Sequence, residues 1–78
     1  MNNTLTLNDL KKGEWAKITG LPASVPVRRR IVSLGLTVNT EICVLYSAPF
    51  GDPRAYYYRG TVMALRRRDA GLIKAELL

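Results

Sequence analysis

Histidine is absent from this chain. With it go the general base best matched to neutral pH and the commonest nitrogen ligand for a metal. Cysteine occurs once, as Cys43, so no disulfide can form within the chain. A small fold without one must be held by burial, as in a reducing compartment, and the expected location is the cytoplasm. Long apolar runs are also missing. Nothing approaches the ~20 consecutive apolar residues of a membrane-spanning helix, and residues 1–20 lack the charged start and apolar stretch of a signal peptide. There is no phosphate-cradling glycine loop, since Gly51 and Gly60 stand singly in turn contexts, and no D-x-D-x-D or C-x-x-C spacing for a metal. Cys43 lies inside an apolar segment, where a small buried thiol is the ordinary occupant. The expectation is a binding protein with no catalytic residue, no metal site and no cofactor.

Acidic residues are scarce as well: six Asp and Glu face twelve Lys and Arg, for a formal charge of +6 and a sequence pI near 10.0. Such a charge suits nucleic acid, an anionic membrane surface or an acidic protein face, without choosing among them. What is present is an ordinary globular composition, 47% hydrophobic over 78 residues, without internal repeat or linker. One domain spanning residues 1–78 is expected.

Local pattern supplies the elements. Leu7 and Leu10 lie three apart on one side of a short helical turn, with Asn8 as a candidate cap and Gly13 ending it. Alternation then sets Ala16 and Ile18 on one face of a strand and Trp15 and Lys17 on the other. Pro26 suits the first turn of a helix that carries Val27, Ile31 and Leu34 as its apolar stripe and stops at Gly35, about ten residues long. Residues 41–48 read as a strand with Ile42, Val44 and Tyr46 on one face and Cys43 and Leu45 on the other. Ala48–Pro53 carries too much turn chemistry to be anything but a loop. Two strands meet near Gly60, with Met63 and Leu65 inward. After a turn at Arg67–Gly71 a last strand alternates Ile73, Ala75 and Leu77 against Lys74 and Glu76. The prediction is an all-β class with one short helix: a small SH3-like barrel of about five strands, closed because an open sheet this small would leave edges and an apolar face uncovered.

Three features point to a partner surface. Arg28, Arg29 and Arg30 crowd the first half of the helix, where the dipole disfavours cations. Helical spacing turns Arg28 and Arg29 to solvent and puts Arg30 beside the core. Phe50 sits at the tip of the Ala48–Pro53 turn with Gly51 and Asp52. It is either an exposed anchor or a lid folded over the barrel end, with Asp52 accepting bonds from its own turn. Among Trp15, Tyr56, Tyr57 and Tyr58 at least one aromatic must face outward, and Tyr57 is the candidate. Arg66, Arg67 and Arg68 read as a solvated turn in which Asp69 pairs with one of them. The candidate partner-binding set is therefore Arg28, Arg29, Phe50, Gly51, Asp52 and Tyr57.

Read in order, L-x-D-L-x-x-G at Leu7–Gly13, an Arg-rich helix ending in S-L-G-L, A-P-F-G-D-P at Ala48–Pro53 and A-L-R-x-x-D-A at Ala64–Ala70 resemble the ferrous iron transport protein A (FeoA) family. Phe50 stands where that turn usually has Leu, and Asn39 where Gly is common. The resemblance implies an SH3-like barrel in the bacterial cytoplasm. It would be an accessory without chemistry of its own that binds or regulates the cytoplasmic part of the FeoB-type membrane ferrous iron transporter, which carries a G-protein domain. The missing apolar run leads to the expectation of no direct membrane insertion, and weak self-association is the remaining partner class. A different class, nucleic-acid binding, would use the arginines and the tyrosine run as a basic groove with stacking platforms. Against it, the arginine clusters are separated by strands that read as buried, and no recognition helix is apparent.

Overall fold

The computed structural model describes residues 5–78. Six strands form one antiparallel sheet: β1 (Leu5–Thr6), β2 (Trp15–Gly20), β3 (Glu41–Ser47), β4 (Arg54–Tyr58), β5 (Thr61–Leu65) and β6 (Lys74–Leu77), in the order β1-β6-β2-β3-β4-β5. Helix α1 spans Val25–Ser33, and a single helical turn, α2, spans Arg67–Ala70. The class is thus mostly β with one helix of more than a turn. The hydrogen-bonded order is open, with β1 and β5 at its two ends. Closure into a barrel is not part of these pairings, and the strand beyond the five expected is the two-residue β1.

Each element follows its local pattern with few exceptions. Thr6 precedes a 3-10 turn at Leu7–Asp9, and its N–H donates to Asp9 Oδ2 at 2.9 Å. The expected cap, Asn8, acts elsewhere: its Nδ2 donates to the Arg67 carbonyl at 2.8 Å and ties this turn to α2. Ser24 is the N-cap residue of α1, Pro26 lies in its first turn, and Ile31 is buried while Val27 and Leu34 pack at the core's edge. Gly35 leaves the helix with φ of +87°, a conformation glycine adopts without strain. Asn39, where the family pattern favours Gly, likewise takes φ of +77°, which asparagine tolerates better than most side chains.

The core collects the inward faces. Leu7, Leu10, Ala16, Ile18, Ile31, Leu36, Ile42, Val44, Tyr56, Tyr58, Leu65, Ala70, Ile73 and Ala75 are all buried together, with Met63 half-buried against them. Tyr46 departs from the expected alternation. The register of β3 against β4 shifts between Val44 and Tyr46, so Tyr46 stands opposite Ala55 and points to solvent instead of joining Ile42 and Val44. A bulge inserts one residue and moves every later side chain to the other face.

Two tyrosine hydroxyls in this core have partners. Tyr58 donates to the Leu34 carbonyl at 2.8 Å, closing the end of α1 onto β4. The Tyr56 hydroxyl is reached by Arg54 Nη2 at 2.9 Å. Arg54 is itself buried, and its Nη1 donates to the Leu10 carbonyl at 2.7 Å. Burial of this cation is offset by carbonyl partners and by the Tyr56 ring 5.4 Å from the guanidinium carbon.

Candidate functional site

Phe50 is 97% exposed at the tip of its turn. The lid alternative does not hold, because the ring covers nothing. The turn that presents it is built from its own backbone: Gly51 N–H donates to the Ala48 carbonyl at 2.8 Å, and Ala48 N–H to the Pro53 carbonyl at 3.0 Å. Gly51 has φ of +83°, which the turn requires, and the Asp52–Pro53 peptide is cis. Asp52 does not serve its own turn. Its Oδ1 accepts from the Arg67 backbone N–H at 3.0 Å, so the Phe50 turn is braced against the start of α2.

That brace brings in side chains the sequence pattern had set aside. Asp52, Arg66 and Arg68 line one shallow concavity of about 400 Å³, so the second arginine cluster lies beside the aromatic turn and is more than a solvated bend. Separation of 14 to 18 residues along the chain hides this neighbourhood, and no periodic signal encodes it. Asp69 also differs from expectation. It pairs with Arg30 of α1, Nη2 to Oδ1 at 2.6 Å, instead of with an arginine of its own turn. Arg30 accordingly lies outside the core, joining α1 to α2.

Arg28 and Arg29 are exposed as expected, and with Val25, Val32 and Ser33 they line a second shallow concavity of about 390 Å³ on the outer side of α1. Val25 and Val32 give it an apolar floor at 46% and 42% exposure. Contacts therefore run from α1 through Arg30–Asp69 to α2, and through Arg67–Asp52 to Phe50. The result is an arginine-rich arc ending in an exposed aromatic.

Tyr57 belongs to another surface. It faces outward on β4 and packs edge-on against Trp15 of β2, ring centroids 6.0 Å apart and planes at 84°. Between them lies Cys43, buried and opposite both in register. Among the described residues no group of three or more His, Cys, Asp or Glu side chains comes together to hold a metal ion, and no helix is long and apolar enough to cross a membrane.

The fold defines a small, mostly β module: one six-stranded antiparallel sheet with a single helix of more than a turn. The FeoA domain family model matches residues 5–77, and the chain belongs to the FeoA family, whose place is in ferrous iron transport. An FeoA-like protein from Clostridium acetobutylicum has the same fold with a TM-score of 0.91 and 35% identity, covering 100% of this chain and 91% of that one. FeoA protein from Chlorobium tepidum gives 0.85 and 36% over 95% of this chain and 70% of that one. A curated relative, the Fe(2+) transport protein A/Fe(2+) transporter FeoB fusion protein of Porphyromonas gingivalis, is 32% identical over 74 residues. The match takes in 95% of this chain but spans only 9% of that relative's length. A manganese-dependent transcriptional repressor also shares the fold, with a TM-score of 0.88 at 18% identity, covering 100% of this chain and 38% of that one.

Proposed function

We propose that this protein is a cytoplasmic adaptor of ferrous iron uptake that docks on the cytoplasmic part of a FeoB-type transporter through the Phe50 turn and the arginine arc. The observation that carries this is Phe50 itself: a large apolar side chain almost wholly in water, on a turn closed by its own backbone bonds and braced against the start of α2. Holding an aromatic ring outward on a rigid turn costs little entropy at binding, which is what makes such a ring an effective anchor. Gly51 and Asp52 serve by setting and bracing the turn. Arg66 and Arg68 beside it, with Arg28 and Arg29 along α1, supply charge for an acidic partner face and would act mainly on encounter.

The fusion relative supports the choice of partner. In that protein a related domain is covalently tied to the transporter, which keeps the two at high effective concentration. Tyr57 supplies a further contact from the strand surface, where its ring packs edge-on against Trp15.

Co-purification of the tagged chain with the transporter, compared with the Phe50→Ala variant, tests the proposal. Retention of the transporter by the unmodified chain and its loss by Phe50→Ala is the expected result. Equal retention by both would remove the turn from the interface, and no retention by either would remove the partner.

A further inference from the structure

Strand β5 ends the sheet with one side unpaired. It follows a two-residue turn, Arg59–Gly60, whose φ values of +51° and +76° are those of a tight hairpin closed by the pair Tyr58 and Thr61. In such a hairpin the closing pair exchanges hydrogen bonds and the pattern alternates from there. Thr61, Met63 and Leu65 therefore bond to β4, while Val62 and Ala64 turn their N–H and C=O groups outward. No other described segment bonds to the backbone of either residue. The strand reads T-V-M-A-L, without a charge or a proline, and Thr61, Val62 and Ala64 are exposed. Soluble proteins usually blunt such an edge with charges, proline or a covering element. At the other end of the sheet β1 spans only two residues.

The side chains of the edge continue an apolar row. Trp15, Cys43, Tyr57 and Val62 stand opposite one another in register across β2, β3, β4 and β5, with Trp15, Tyr57 and Val62 partly exposed. A strand added beyond β5 would place its own side chain next to Val62 and extend this row. Charge decides what that strand is. Arg59 precedes β5, and Arg66, Arg67 and Arg68 follow it. Two copies pairing antiparallel through β5 would bring Arg59 of each beside Arg66 and Arg67 of the other, setting like charges together at both ends. Asp69, the nearest carboxylate in sequence, is engaged by Arg30.

We infer that the β5 edge accepts an extended segment of a partner protein by strand addition, and that this segment has a short apolar or β-branched centre with acidic residues at its ends. Main-chain bonds to Val62 and Ala64 provide the affinity, and the flanking arginines select against basic ends. The backbone edge of Val62 and Ala64 is distinct from the Phe50 turn, although Arg66 and Arg68 lie beside both, and the peptide controls and Phe50→Ala tell the two sites apart.

The probe is a synthetic peptide with an alternating Thr and Val centre and acidic ends, added to the full-length chain. Binding should slow amide exchange at Val62 and Ala64 by about tenfold or more and leave the Phe50 turn unchanged. The same centre with basic ends should bind about tenfold more weakly or worse. A version N-methylated on alternate residues facing β5 should not bind, a control that does not depend on any variant folding. Ala64→Pro should also abolish binding, since proline removes an outward N–H without touching the β4 ladder, whereas Phe50→Ala should keep it. Undiminished binding of the N-methylated peptide, protection at α1 or the Phe50 turn instead, or protection of Val62 and Ala64 that rises with protein concentration in the absence of peptide would each overturn the inference, the last by assigning the edge to a second copy.

Discussion

Arg54 and Tyr56, two residues apart on β4, form a buried pair: guanidinium Nη2 lies 2.9 Å from the tyrosine hydroxyl and the guanidinium carbon 5.4 Å from its ring. Both point into the core, because i and i+2 share a strand face. Both also reach the Leu7 carbonyl, so the pair fastens the N-terminal turn across the sheet. Arg54→Ala leaves the Leu7 and Leu10 carbonyls and the Tyr56 hydroxyl short of a donor or partner. A loss of about 2–4 kcal/mol is expected. Thermal melts should show it, at about 4–8 °C per kcal/mol for a domain of this size. A change below about 1 kcal/mol would mean the pair is dispensable.

Tyr56 and Tyr58 supply the pH dependence. Burial raises both above the ordinary value of 10.0, and for Tyr56 the neighbouring Arg54 opposes the rise without cancelling it. The folded state therefore keeps protons that the unfolded chain releases near pH 10. Stability from these groups is fully present below that pH and is lost as pH rises through the folded values. Denaturant unfolding across an alkaline series should show this decline, and the double variant Tyr56→Phe with Tyr58→Phe should flatten it. An unchanged slope would assign the alkaline loss to other groups.

Phe50→Ala should leave the melting temperature unchanged, since a side chain 97% exposed contributes almost nothing to burial. Affinity for the transporter should fall by roughly 1–3 kcal/mol, the cost of truncating an anchor. A lower melting temperature with unaltered affinity would return the ring to a structural role.

Reversing Arg28 and Arg29 to Glu should slow association and weaken its salt dependence while leaving dissociation little changed, because charges at the rim of an interface act on encounter. Stopped-flow or surface-capture kinetics at two salt concentrations measure this directly. Faster dissociation with an unaltered on-rate would place these arginines inside the contact instead.

The Arg30–Asp69 bridge joins α1 to α2, but Arg30 is 55% exposed against 18% for Asp69. Solvent screens such a pair, and a double-mutant cycle should give a coupling of about 0.2–1 kcal/mol. A coupling well above that range would mean that α2 depends on the bridge for its position.

Much of the architecture was legible in the sequence because it rests on local rules. Alternation put Ala16 and Ile18 on one face of β2 and Trp15 on the other, and the first of these is the buried face. Pro26 and Gly35 bracketed α1 within a residue or two, and the chemistry of Ala48–Pro53 required a turn. These signals depend on neighbours within a few positions, which periodicity and backbone preference encode directly. The tertiary structure alone decided the rest. Phe50 had two possible placements, and only the packing around its turn left it in water. Asp69 had three arginines beside it in sequence and took Arg30, 39 positions away, since the crossing of α1 and α2 brings that guanidinium within reach. Arg54 reads locally as the polar start of a strand, yet it is buried because carbonyls 44 and 47 positions away meet it. A bulge turned Tyr46 outward where alternation alone would have buried it. In each case the deciding contact joins segments distant in the chain, and a pattern that extends over a few residues carries no information about which distant group will arrive.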